Sequence, residues 1–115
     1  MRTKRPKKSA RTPSVTEGSG NVFADLGLPH PEQEMTKARL TLQICRLIRQ
    51  RDMTQAEAAK LLGIKQPHVS LLMRNRSGSF SIGRLIDFLT ALGQDVEINV
   101  RPTRRESGQL SVTVP

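Results

Sequence analysis

A chain of 115 residues with 36% hydrophobic content can enclose one modest core, and the small size favours a partner subunit to cover the remaining apolar surface. Its 19 basic and 10 acidic residues give a formal charge of +9, which points to a polyanionic partner, while the absence of Trp and Tyr beside three Phe argues against stacking on single strands. No signal-peptide core or long apolar run is present, which predicts a cytoplasmic protein without a membrane partner, and Cys45, His30 and His68 are too scattered to hold a metal.

Residues 1 to 20 hold six basic side chains (Arg2, Lys4, Arg5, Lys7, Lys8, Arg11) against Glu17, so about half of the net charge sits in this stretch. With no apolar periodicity to offset the entropy of ordering, the stretch reads as a disordered tail. It serves either as a loose arm touching phosphates or as a solubilising terminus. A domain is expected over 21 to 93 and a dimerising segment over 94 to 115. After the turn-forming Pro29, His30 and Pro31, the segment Glu32 to Arg51 places Leu40, Ile44, Leu47 and Ile48 on one helical stripe with Met35, Ala38, Leu42 and Cys45 beside it. Such a broad apolar face suits packing against more than its neighbouring helices, with a second subunit as a candidate, and Cys45 belongs to it as a core residue rather than a reactive thiol.

Thr54 to Leu72, TQAEAAKLLGIKQPHVSLL, spells two short helices joined by a tight turn. Thr54 and Glu57 have the spacing of a capping box, Gly63 stands where the chain needs a positive φ, and Pro67 falls in the first turn of the next helix, where a missing N–H costs nothing. Ala58 and Ala59 supply small residues where the helix axes approach, and Val69 and Leu72 form an inward face.

From Gln55 onward the chain resembles the helix-turn-helix of the lambda repressor and Cro class, the xenobiotic-response-element regulators. Gln55, Ala58, Ala59, Leu62, Gly63, Ile64, Val69 and Leu72 carry the likeness. Over about Asn21 to Pro102 the chain is also similar to HigA-type antitoxins and their stand-alone relatives, through NVFADLGLP (Asn21 to Pro29), EMTKARL (Glu34 to Leu40) and the stretch Phe80 to Pro102. Lys65 departs from that pattern, which has Ser or Thr here. A cation at a helix N-terminus opposes the macrodipole, and it is explained equally by a phosphate contact or by ordinary solvation.

Ser81 can cap a last helix that ends at Gly93, with Phe80 and Leu85 as a hydrophobic staple and Leu85, Ile86, Phe88, Leu89 and Leu92 on its buried side. Beyond Gly93 the period changes to two: Val96, Ile98 and Val100 alternate with Glu97, Asn99 and Arg101, which reads as a strand. Its partner is Leu110, Val112 and Val114 in a local hairpin, or Val22 and Phe23, or the same strand of a two-fold-related subunit, the arrangement we favour.

The expected fold is therefore mainly α, a lambda-repressor-like bundle of four to five helices with a C-terminal β-strand or hairpin. The expected function is binding of double-stranded DNA by a homodimeric transcriptional regulator, a repressor, without catalytic residues, cofactor or small-molecule substrate. The family resemblance places Gln66, His68 and Leu71, with Pro67 beside them, at base edges. Gln55, Lys65, Ser70, Arg74, Asn75 and Arg76 are placed for phosphates, all but Gln55 in an interval from Glu57 to Asp87 that contains no acid between its ends. Val96, Ile98 and Val100 are the dimer candidates. The resemblance also admits a toxin as partner, with Val22, Phe23, Leu26 and Leu28 suited to its groove or to the protein's own core.

If the tail neutralises phosphates, deleting residues 1 to 20 lowers nonspecific duplex affinity and flattens its log–log salt dependence by about 0.9 for each phosphate the tail had neutralised, while sequence preference survives. Titrations across a salt series check this; an unchanged slope would make the tail a passive terminus.

Overall fold

The computed structural model describes residues 30–75 and 80–115. The expected tail, the segment 21–29 and Arg76 lie outside these residues. Among the described residues there are four helices, α1 (Pro31–Gln50), α2 (Gln55–Leu62), α3 (Gln66–Met73) and α4 (Ile82–Ala91).

Each boundary has a local cause. Pro31 opens α1, Glu32 and Glu34 occupy its first turn and Arg49 its last, all matched to the helix dipole. The helix is closed by Asp52 in a left-handed conformation, φ 56°, whose N–H donates to the Arg49 carbonyl while the Met53 N–H donates to the Ile48 carbonyl. This is a Schellman ending that uses aspartate where glycine is commoner. The capping box at α2 is formed in full: the Glu57 N–H donates to Thr54 Oγ1 at 3.0 Å, and the Thr54 N–H donates to Glu57 Oε1 at 2.8 Å. Gly63 ends α2 at φ 72°, where a Cβ would meet no neighbour, so the glycine is needed for its backbone angle rather than for space. Ser81 Oγ accepts the Arg84 N–H at 3.1 Å to start α4.

The core joins Leu40, Ile44, Leu47 and Ile48 of α1 to Ala58, Ala59 and Leu62 of α2, Val69 and Leu72 of α3, and Phe80, Leu85, Phe88, Leu89 and Leu92 of the α4 region. The principal packings are α1 on α4 and α2 on α3, with α3 also reaching α1 and α2 reaching α4. Cys45 is buried as expected. Arg51, just beyond α1, donates through Nη2 to the Leu92 carbonyl. A guanidinium thus meets the negative end of α4 and ties the C-termini of two helices together.

The C-terminal strand is a correction. Among the described residues no strand forms, and 94–115 has no regular secondary structure. Val96 is half-buried against the core, but Ile98 and Val100 are 74% and 92% exposed, so the three do not act as one face within the chain. Nor does the local hairpin form. The returning segment is held by α1 instead: the Leu110 N–H donates to Glu32 Oε1 at 3.2 Å, Val112 packs against the core, and Val112 to Val114 border a shallow groove with Arg39, Leu42 and Arg46. Once the groups of the returning segment are directed to α1, residues 96 to 100 have no ladder partner among the described residues.

Thr54→Ala removes the hydroxyl acceptor while leaving the core untouched. It is expected to cost about 1 kcal/mol and to lower the thermal midpoint by about 4–8 °C, read by circular dichroism.

Candidate nucleic-acid interface

A groove-reading helix needs one face anchored and the other bare, and α3 meets both conditions within eight residues. Val69 and Leu72 are fully buried, while Gln66, Pro67 and His68 in its first turn are exposed. Ser70 and Leu71 are half-buried, and Leu71 packs partly against the core, so only part of that side chain remains available at the surface. Pro67 sits in the first turn with no donor to lose.

Lys65 occupies the N-cap in an extended conformation and makes no side-chain cap; its carbonyl accepts the His68 and Val69 N–H groups at 2.9 and 3.3 Å. With Pro67 lacking an N–H, Gln66 carries the remaining N–H of the first turn, with the Lys65 charge beside it. Gln55, the first residue of α2, borders an open concavity together with Gln66, Pro67 and Ser70. The fold therefore brings together four candidates from two helices. At the far end, Arg74 caps α3 and its Nε–H lies 3.4 Å from the Ser70 carbonyl, and Asn75 turns the chain at φ 58° with its N–H donating to the Leu72 carbonyl at 2.8 Å. Both side chains are exposed. Val96, Ile98 and Val100 belong to a different region.

The back of α3 is fastened from α1. The Cys45 thiol donates to the Leu72 carbonyl at 3.0 Å, so a buried sulfur supports the last turn of the helix whose first turn is exposed. Burial pushes the Cys45 thiol above its ordinary range, although the nearby Arg49 charge opposes this in part.

Two residues beside this surface had little sequence signal. Phe80 reads as a staple residue, yet its ring also lies 6.3 Å from the His68 imidazole, edge-on at 89°. Arg84 reads as one more surface cation, yet its guanidinium lies 5.2 Å from the centre of the Phe88 ring. The His68–Phe80 contact has no helical spacing that sequence periodicity could reveal, whereas Arg84 and Phe88 stand four apart on α4, a spacing the sequence does carry. Among the described residues, no group of three or more His, Cys, Asp or Glu could hold a metal ion, and no helix is long and apolar enough to cross a membrane.

The sequence profile of a helix-turn-helix domain family matches residues 22–101. A solved structure bearing the name of an XRE-family transcriptional regulator superposes with a TM-score of 0.69 at 39% identity, covering 76% of this chain and 100% of its own. No curated protein matches the chain.

The environment of Cys45 predicts slow chemistry. Alkylation at mildly alkaline pH is expected only after denaturation, because the thiolate is disfavoured and the sulfur enclosed. Labelling followed by mass spectrometry checks this; native-state reaction at the rate of a free thiol would contradict it.

Proposed function

The chain belongs to the helix-turn-helix domain family together with XRE-type transcriptional regulators, and from that premise we propose that it is a sequence-specific repressor that binds duplex DNA as a two-fold homodimer. The observation that carries the reading is the division of α3 between fully buried Val69 and Leu72 and exposed Gln66, Pro67 and His68. Such a helix can enter the major groove without disturbing its own core. In this reading Gln66 and His68 hydrogen-bond base edges, and the free part of Leu71 with Pro67 makes apolar contact, for example with a thymine methyl. Gln55, Lys65, Ser70, Arg74, Asn75 and Arg76 hold phosphates and fix the register.

Dimerisation follows from the C-terminal segment. Ile98 and Val100 are exposed apolar residues on a stretch that forms no strand among the described residues, and a second copy of the same stretch offers both a ladder partner and apolar cover. The dimer sets two recognition helices about 34 Å apart, one turn of duplex. A second reading adds a toxin: the likeness of Asn21 to Pro29 and Glu34 to Leu40 to HigA-type antitoxins, with Leu42 43% exposed on α1, supports an antitoxin that neutralises a RelE/HigB-like toxin and autoregulates its operon. A short basic reading frame beside the gene, whose product co-purifies with this chain, favours that reading.

Gln66→Ala is expected to cost about 1–3 kcal/mol on the preferred duplex and to relax choice at one base pair per half-site, whereas Arg74→Ala weakens all duplexes alike. Selection from random duplexes separates the two, and an equally sharp motif for Gln66→Ala would falsify the placement of α3. For assembly, Ile98→Asp is expected to leave the thermal midpoint of the subunit little changed but to convert dimer to monomer in sedimentation, because pairing would bury the new charge. Wild-type protein that sediments as a monomer at micromolar concentration would remove the dimer from the proposal.

A further inference from the structure

We propose that Phe80 is a positioning residue for DNA reading: its ring holds the His68 imidazole in the orientation that meets a base edge. The inference rests on the reading of α3 as the groove helix and deepens it, since it assigns a specificity role to a buried residue outside that helix. Three contacts carry it. The Phe80 and Phe88 rings meet edge to face at 5.5 Å and 79°, Phe88 is fully buried, and the Arg84 guanidinium covers Phe88 at 5.2 Å. Phe80 is itself only 8% exposed, so its ring is clamped on the core side and is not free to follow a moving neighbour. Toward the surface it meets His68 at 6.3 Å and 89°, the perpendicular geometry that aromatic quadrupoles favour.

The consequence follows from preorganisation. An exposed histidine on a helix samples several rotamers, and a base contact made by one of them loses affinity in proportion to the fraction of time spent in the others. A ring fixed in the core that favours one imidazole orientation removes that loss before DNA arrives. Gln66, two residues earlier on α3, has no ring contact among the described residues and must be ordered by the DNA itself. Phe80 itself touches no nucleic acid; it acts through His68 alone. Its effect is therefore confined to the base pair that His68 reads.

The test measures binding of wild type, His68→Ala, Phe80→Leu, Phe80→Tyr, Phe80→Met and the double variant His68→Ala/Phe80→Leu to the selected duplex and to its single-base-pair variants, with circular dichroism confirming the fold. Phe80→Leu and Phe80→Met are expected to lower discrimination roughly 2- to 10-fold, the range of one aromatic pair, at the same base pair that His68→Ala affects. Phe80→Tyr keeps the ring and the discrimination, Phe80→Leu adds nothing in the His68→Ala background, and the salt slope is unchanged throughout. In the free protein, the His68 ring-proton resonances move toward free-histidine positions when the Phe80 ring current is removed. The proposal is overturned if Phe80→Leu and Phe80→Met retain full discrimination, or if they weaken every duplex equally. Should one fail to fold, the other and the wild-type-like behaviour required of Phe80→Tyr still decide. A motif left sharp by both Gln66→Ala and His68→Ala overturns the groove-helix reading instead, an outcome distinct from failure at Phe80 alone.

Discussion

The proposed recognition helix depends on burial from behind, because α3 has little means to exist alone. Eight residues are well below the roughly 12–15 at which an isolated helix becomes marginal in water. Lys65 at its N-cap supplies no side-chain acceptor and places a charge against the dipole, an opposition of about 0.3–1 kcal/mol. Burying Val69 and Leu72 contributes about 1.5–3 kcal/mol each, which outweighs that term several-fold. Apolar anchoring therefore leaves the first turn free to carry residues chosen for chemistry rather than for helix formation.

That anchoring needs the other three helices held in place, and the means differ at each joint. Between α2 and α3 the turn is local, set by the αL angle of Gly63 and the buried Ala58 and Ala59. Between α1 and α4 the joint is long-range: apolar packing is supplemented by Arg51 on the Leu92 carbonyl, and Gly93 has a second reason to lack a Cβ, since one would approach Arg51 Nη2 to 3.2 Å. The Cys45 thiol at the Leu72 carbonyl then connects α1 to the end of α3. Through these two contacts α1 braces both the end of α4 and the last turn of α3.

The C-terminal segment behaves differently because its two halves meet different surfaces. Val112 finds the core and Leu110 finds Glu32, so the return is satisfied within the chain. Ile98 and Val100 find nothing comparable among the described residues and stay exposed on the single chain. Period-two alternation was legible in both halves, yet alternation states only which side chains share a face, not which surface that face will meet.

What the sequence determined by itself lies in short-range chemistry: the capping box of Thr54 and Glu57, the glycine turn at Gly63, Pro67 in a first turn, the Ser81 cap and the Gly93 stop all act within four residues, and each appears in the structure where spacing placed it. The inward stripe of α1 and the buried pair of α3 were legible for the same reason, since helical periodicity maps position onto face. Tertiary structure alone decided the rest. It brought Gln55 beside Gln66 and Ser70, set Phe80 against His68, aimed Cys45 at Leu72 and sent Val112 to α1 instead of to residues 96–100. Those pairings join residues 11 or more positions apart, and their geometry depends on how helices cross, a property of the packed core that no local pattern encodes.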